Sequence, residues 1–247
     1  MKPVSKPVST NSDTSAGAGA ILYSSFALRF IYDTLVLRIF CPYVWGCAAL
    51  TELAAFFNRQ VATAISQSSS RSCRLLDMGV GTGYFPAQAP LDDSNEIALL
   101  DLNANCLSAA ASRIREAHPR VKCTTFNADI LEPISAEKLG GRFDAISMML
   151  VLHCLPGPPA RKGDMLRRLS GLLNKDGVLF GTTVLGRDVT HSFIGRILLW
   201  HLNRIRGFDN YEDDVASFIR PLEGSFESVN WRIVGRTLLF EAKKPKA

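Results

Sequence analysis

The chain has 247 residues, 47% of them hydrophobic, which is enough for one large domain or two small ones with a substantial core. A short binding module, a disordered chain and a collagen-like repeat are excluded. The net charge is +5, but Lys2, Lys6 and Asp13 near one end and Lys243, Lys244 and Lys246 at the other supply four of those charges. The body carries about +1, so no basic face for nucleic acid is indicated.

Residues 1–20 are Ser-, Thr-, Pro-, Gly- and Ala-rich, lack an apolar core for a secretory signal, and read as a disordered tail. Residues 21–66 read as an N-terminal helical lid, with apolar side chains crowding ILYSSFALRFIYDTLVLRIF and ALTELAAFFNRQVATAI and a break at Pro42 and Gly46. QSSSRS (67–72) is a linker that opens the core, 67–247. The longest stretch without a charge, Ala145 to Ala160, is 16 residues and ends in prolines, so no transmembrane segment is expected. Six cysteines form no C-x-x-C and sit mostly in apolar runs, as buried thiols of a cytoplasmic protein do.

From Cys73 onward, short apolar runs alternate with amphipathic helices. The strands expected are 73–78, 96–101, 121–126, 143–150 and 177–184, several with apolar residues on both faces, as parallel strands between helix layers require. The spacing predicts helices over 104–118, stopped by Pro119, and 159–173, with NKDG (174–177) turning into the fifth strand. ESVNWRIVG and RTLLFEAKK lie too close for a crossover helix and form a hairpin. The fold class is therefore α/β, a doubly wound, mostly parallel, Rossmann-like sheet of seven strands ending in an antiparallel hairpin.

Leu75-Leu76-Asp77-Met78-Gly79-Val80-Gly81-Thr82-Gly83 runs a buried strand straight into a glycine turn, where a ligand can approach bare backbone. The spacing is G-x-G-x-G, because Tyr84 stands where a dinucleotide fingerprint needs its last glycine, and no Gly-Lys-Ser/Thr follows for a phosphate loop. The second strand ends in Asp101, eighteen residues past Gly83, where a carboxylate can accept both hydroxyls of a ribose.

These residues resemble the class I S-adenosylmethionine-dependent methyltransferases, over about residues 70–242, and the wording GTGYF, LLDLN, ADILEP and LHCLPGP resembles their small-molecule, secondary-metabolite members. The resemblance implies S-adenosyl-L-methionine as cofactor, S-adenosyl-L-homocysteine as product and no metal. It assigns Asp77, Gly79, Gly81 and Gly83 to the methionine end of the cofactor and Asp101 to the ribose. Leu102 flanks the adenine, Asp129 accepts its amino group, Ile130 packs on the ring, and Met148 and Met149 line the cleft at the end of the fourth strand.

No Asp/Asn-Pro-Pro-Tyr follows the fourth strand, so DNA N-methylation is not expected, and no carboxylate stands there for a metal-dependent catechol enzyme. His153, one step past that strand, is the candidate general base, with core packing as its alternative. Tyr32, Tyr43, Trp45, His191 and Trp200 are candidate acceptor contacts from the N-terminal lid and from a second lid insertion at about 187–223. His118 is expected to be solvated. Residues 191–207 also read as a basic amphipathic helix for a membrane surface, a reading opposed by Asp209, Glu212, Asp213 and Asp214 directly after it. The function expected is methyl transfer to oxygen of a small, fairly apolar molecule in natural-product biosynthesis. The alternative is a cyclase or isomerase that binds the same cofactor without net methyl transfer; a scaffold subunit and an RNA methyltransferase are weaker readings.

Overall fold

Alternation of apolar side chains along the central strands sends each strand's residues to two helix layers, and the structure, a computed structural model, describes residues 28–68 and 72–246, with side chains from residue 33 onward. The strands are β1 (Arg74–Met78), β2 (Glu96–Asp101), β3 (Lys122–Asn127), β4 (Phe143–Met149), β5 (Leu173–Val184), β6 (Phe226–Val234) and β7 (Thr237–Pro245). They form one sheet in the order β3-β2-β1-β4-β5-β7-β6. The first five are parallel, and β7 pairs antiparallel with both β5 and β6. The order reverses between β1 and β4, and ligands bind beyond the carboxyl ends of the strands at such a switch point. The expected disordered tail, 1–20, lies outside the described residues.

One face of the sheet, with Leu75, Ile97, Leu99, Ala145, Met149, Val178 and Phe180, packs under α1 (Leu28–Val44), α2 (Ala54–Gln67) and α3 (Ala104–Ala117). The other, with Leu76, Ala98, Leu100, Ile146, Met148 and Leu179, packs under α4 (Pro159–Leu169) and α6 (Val215–Ser225). β3 is a partly exposed edge strand. Asn103, Ser192 and Asp214 cap α3, α5 (Phe193–Arg204) and α6 by accepting hydrogen bonds from the backbone N–H groups of Asn105, Gly195 and Ser217.

Three expectations change. The lid helix α1 is wound with π-type bonding and contains Pro42, so the break falls after it, at Gly46 with φ +68°. Helix 159–173 stops at Leu169, and 174–177 bulges within β5, between the pairs Phe143–Leu173 and Ala145–Val178. α6 is a layer helix of the core: a Cβ at Gly163 in α4 would lie 2.6 Å from the Ser217 carbonyl oxygen, so the two helices touch backbone to backbone. Residues 215–223, expected within the insertion, therefore pack as part of a helix layer. Among the described residues, no single helix is long and apolar enough to cross a membrane.

Candidate active site

The glycine loop leaves β1 at Gly79, whose N–H donates to the Leu100 carbonyl at 2.8 Å and so joins the loop to β2. Gly79 has φ +70°, and a Cβ there would lie 2.2 Å from Val151 Cγ2, so no larger residue fits. Gly81, at φ +50°, has no atom within 4 Å of its would-be Cβ and presents bare backbone to open space. Gly83 packs on Ala110 of α3, at 2.8 Å from the would-be Cβ to Ala110 Cα.

Asp77 is buried at the end of β1 and accepts a hydrogen bond from Ser147 Oγ at 2.5 Å. Burial pushes its carboxyl up to about 7, the Ser147 hydroxyl opposes that, and nearby Asp101 adds to it. Asp101 ends β2 beside the loop and accepts from the Asn103 N–H at 2.8 Å. Its pKa is raised by burial, against the N–H groups of Asn103, Gly81, Val80 and Leu102, which favour the carboxylate.

Leu102 is exposed, Ile130 is buried, and Asp129 Oδ1 accepts from the Leu131 N–H at 2.8 Å. Met149 lines the cleft with Leu37, Gly79, Gly81, Tyr84 and Leu150. Met148 does not: strand alternation turns it into the opposite core, with Leu76 and Leu179. Leu150, at φ +56°, is a strained residue at the tip of β4, its N–H held by the Thr182 carbonyl at 3.0 Å.

The two histidines expected near the acceptor lie around the end of β5. His153 is buried, and its Nδ1 accepts from the Val184 N–H at 3.2 Å, which places the ring proton on Nε2. Phe208 packs edge-on against that ring with centroids 4.3 Å apart. Burial, with a contribution from Lys162, lowers His153 to about 3. His153 is therefore a neutral, packed ring whose basic nitrogen is already engaged, and the expectation that it serves as base meets this obstacle.

His191 differs. Its Nε2 donates to the Leu185 carbonyl at 2.9 Å, which leaves the lone pair on Nδ1, and that atom is buried without a hydrogen-bond partner among the described residues. Burial lowers its pKa, the Leu185 carbonyl opposes this, and Arg236 adds to it, so the ring is neutral at pH 7. Trp45 stands edge-on to His191 at 5.9 Å between centroids and 6.1 Å from Phe208, its carbonyl held by the Arg236 N–H at 2.7 Å.

Of the expected acceptor contacts, the fold thus brings Trp45 and His191 together. Tyr43 and Trp200 point to solvent, and the Tyr32 side chain lies outside the described residues. His118 is half-buried rather than solvated. Sequence reading missed Phe208, which follows the second lid helix with no motif around it. It also missed Asp33, which accepts from Thr82 Oγ1 at 2.7 Å and from Arg113 at 2.6 Å.

A sheet of this order, with a glycine loop after its first strand and an acid at the tip of its second, defines the class I S-adenosylmethionine-dependent methyltransferases. The family model described as a methyltransferase domain matches residues 76–179. The methyltransferase verB of Penicillium polonicum is 40% identical over 238 residues, covering 92% of this chain and 98% of that protein. The physcion biosynthesis cluster O-methyltransferase of Aspergillus chevalieri is 34% identical, covering 92% of this chain and 96% of its own. N-methyltransferase NodS from Bradyrhizobium japonicum, solved with S-adenosyl-l-homocysteine, shares the fold with a TM-score of 0.54 at 14% identity, over 78% of this chain and 87% of that one. The chain belongs to the S-adenosylmethionine-dependent methyltransferases, and that nucleoside is its cofactor.

The residues fit it. The open backbone at Gly81 lies beside the Asp101 carboxylate, the pairing an amino-acid-bearing nucleoside needs. Between Leu37, the loop and Leu150 the cleft is narrow, about 30 Å³.

Proposed function

We propose that this enzyme methylates a hydroxyl oxygen of a small, fairly apolar molecule of natural-product biosynthesis, with His191 as the general base. The observation that carries the reading is the buried Nδ1 of His191 beside Trp45, without a hydrogen-bond partner among the described residues. Leu185, which holds His191, follows Thr182 by three residues of nearly extended chain, about 10 Å, and Thr182 holds Leu150 at the cleft. The naming of several relatives as O-methyltransferases supports the choice of oxygen. Trp45, Phe208 and Leu185 give the acceptor an apolar wall and exclude water.

When bound, the cofactor supplies an electrophilic methyl group on a sulfonium. His191 Nδ1 would take the proton of the acceptor hydroxyl, freeing the oxygen for the methyl group that the bound nucleoside would supply. His153 positions Phe208 and the end of β5 and stays neutral throughout. Asp101 and Gly81 would hold the nucleoside and orient it toward the acceptor.

Incubation with hydroxylated aromatic and polyketide acceptors, read by product mass, tests this. A gain of one methyl with release of S-adenosyl-L-homocysteine is expected, and an isomer of unchanged mass would overturn it in favour of a cyclase or isomerase. His191→Asn is expected to lower kcat at least 100-fold, within the range a positioned base supplies, with cofactor affinity unchanged. Because the base is needed neutral and its pKa is lowered, kcat/KM should be flat above about pH 6.5, the unperturbed histidine value, and fall only below it.

A further inference from the structure

The second lid helix, α5, is apolar on both sides although only one side is buried. Gly195 and Leu199, with Leu198 and Leu202, face the core. On the opposite side Phe193, Ile194, Ile197 and Trp200 are 70, 67, 52 and 59% exposed, and Ile205 extends the face beyond the helix end. Phe193, Ile197, Trp200 and Arg204 follow one another at spacings of four, three and four, a single stripe along the helix. A surface helix ordinarily turns polar residues outward, so an outward apolar stripe marks a face that is covered in use.

We infer that α5 lies on an anionic phospholipid membrane surface, with Phe193, Ile197 and Trp200 inserted among the headgroups and Arg196, Arg204 and Arg206 on phosphates. Residues 191–207 hold no acid, and among the described residues no carboxylate pairs with those three arginines. The four acids that follow are all engaged elsewhere. Asp213 is buried against Lys162, Asp214 caps α6, Asp209 accepts from the Gly157 N–H, and Glu212 pairs with Arg187. The face itself is therefore basic and apolar, the composition of an interfacial helix.

A second copy of the chain suits the face less well. Twelve residues of helix are about 18 Å long and 10 Å wide, so the face offers roughly 200 Å², against about 800 Å² per partner in a stable interface. A two-fold contact would also set arginines against arginines. His191 and Ser192 open α5, so the membrane-facing helix is the roof of the acceptor side, and an apolar acceptor would reach it from the bilayer. The surface contact itself stands whether or not His191 is the base.

Flotation of the full chain with phosphatidylcholine vesicles, with and without 30% phosphatidylserine, tests the inference. The chain should float with the mixed vesicles, at least tenfold less with phosphatidylcholine alone, and less as salt is raised. Phe193→Asp/Ile197→Asp should lower flotation at least tenfold, and Arg196→Glu/Arg204→Glu should remove the preference for anionic lipid, while the cofactor-binding isotherm of both variants matches the parent and certifies their folding. No flotation with either vesicle, flotation of the aspartate variant equal to the parent's, or a parent dimer that the aspartate variant abolishes would each overturn it.

Discussion

The Thr82 hydroxyl, in the glycine loop, donates to Asp33 of the lid helix at 2.7 Å, and Arg113 of α3 donates to the other oxygen of the same carboxylate at 2.6 Å. Arg113 also donates to the Thr82 carbonyl at 3.1 Å, so one partly buried cluster fastens α1 to the loop and to the helix behind it. Leu37, one turn on from Asp33, lines the cleft. Asp33→Ala removes the clasp and lowers the cost of opening. Hydrogen bonds to charged groups contribute about 1.5–3 kcal/mol, so stopped-flow association of S-adenosylmethionine should speed up roughly tenfold. Amide exchange over Leu28–Val44 should rise with it. Unchanged rates would mean that the ligand reaches the loop without moving α1.

Lys162 and Asp213 form a fully buried ion pair, with Nζ also donating to the Asp209 carbonyl at 2.5 Å. Asp209 in turn donates its N–H to the His153 carbonyl at 2.8 Å, so the pair anchors the segment that carries Phe208 against His153. Lys162→Met leaves a buried carboxylate alone and should cost about 3–5 kcal/mol in urea denaturation. Lys162→Met/Asp213→Leu should recover most of that loss, because two apolar groups replace the pair. If the double variant is as unstable as the single, the pair has a role beyond balancing charge.

Asp77 gives the apoprotein a signed pH dependence. Its folded pKa, about 7, lies above the unfolded value of 3.8, so the folded state binds the extra proton between those values. Its contribution is complete below about pH 4 and is lost as pH rises to about 7. The stability difference between Asp77→Asn and the parent should therefore grow in the variant's favour from pH 4 to 7, by at most about 4 kcal/mol, and then level off. A difference that stays constant with pH would show that Asp77 remains ionised in the folded chain.

Much of the architecture was legible from Cys73 onward because local patterns and global fold agree there. Apolar runs bounded by turns become the strands, and the G-x-G-x-G turn sits at the sheet's switch point beside Asp101. The clasp was not legible. Asp33 is a lone acid in an apolar run, and its partners lie 49 and 80 residues away, a distance that no local pattern reports. Met148 and Met149 read alike as a pair at a strand end, and only the phase of the strand decides that one faces the cleft and the other the opposite core. Trp200 and Tyr43 read as acceptor contacts from their place in the two lid regions, and here they face outward. His153 has the position of a base, but only three-dimensional contacts show that the Val184 N–H has taken its lone pair.

Titration calorimetry of S-adenosyl-L-homocysteine into the parent and Asp101→Ala tests the central assignment most directly. In the proposed arrangement Asp101 grips the ribose while the glycine loop of β1 holds the amino-acid end beside it. One-to-one binding by the parent and at least 100-fold weaker binding by Asp101→Ala, with the variant's circular dichroism and melting unchanged, is the expected result. Parent binding that survives the substitution at full strength would place the nucleoside elsewhere and contradict the site.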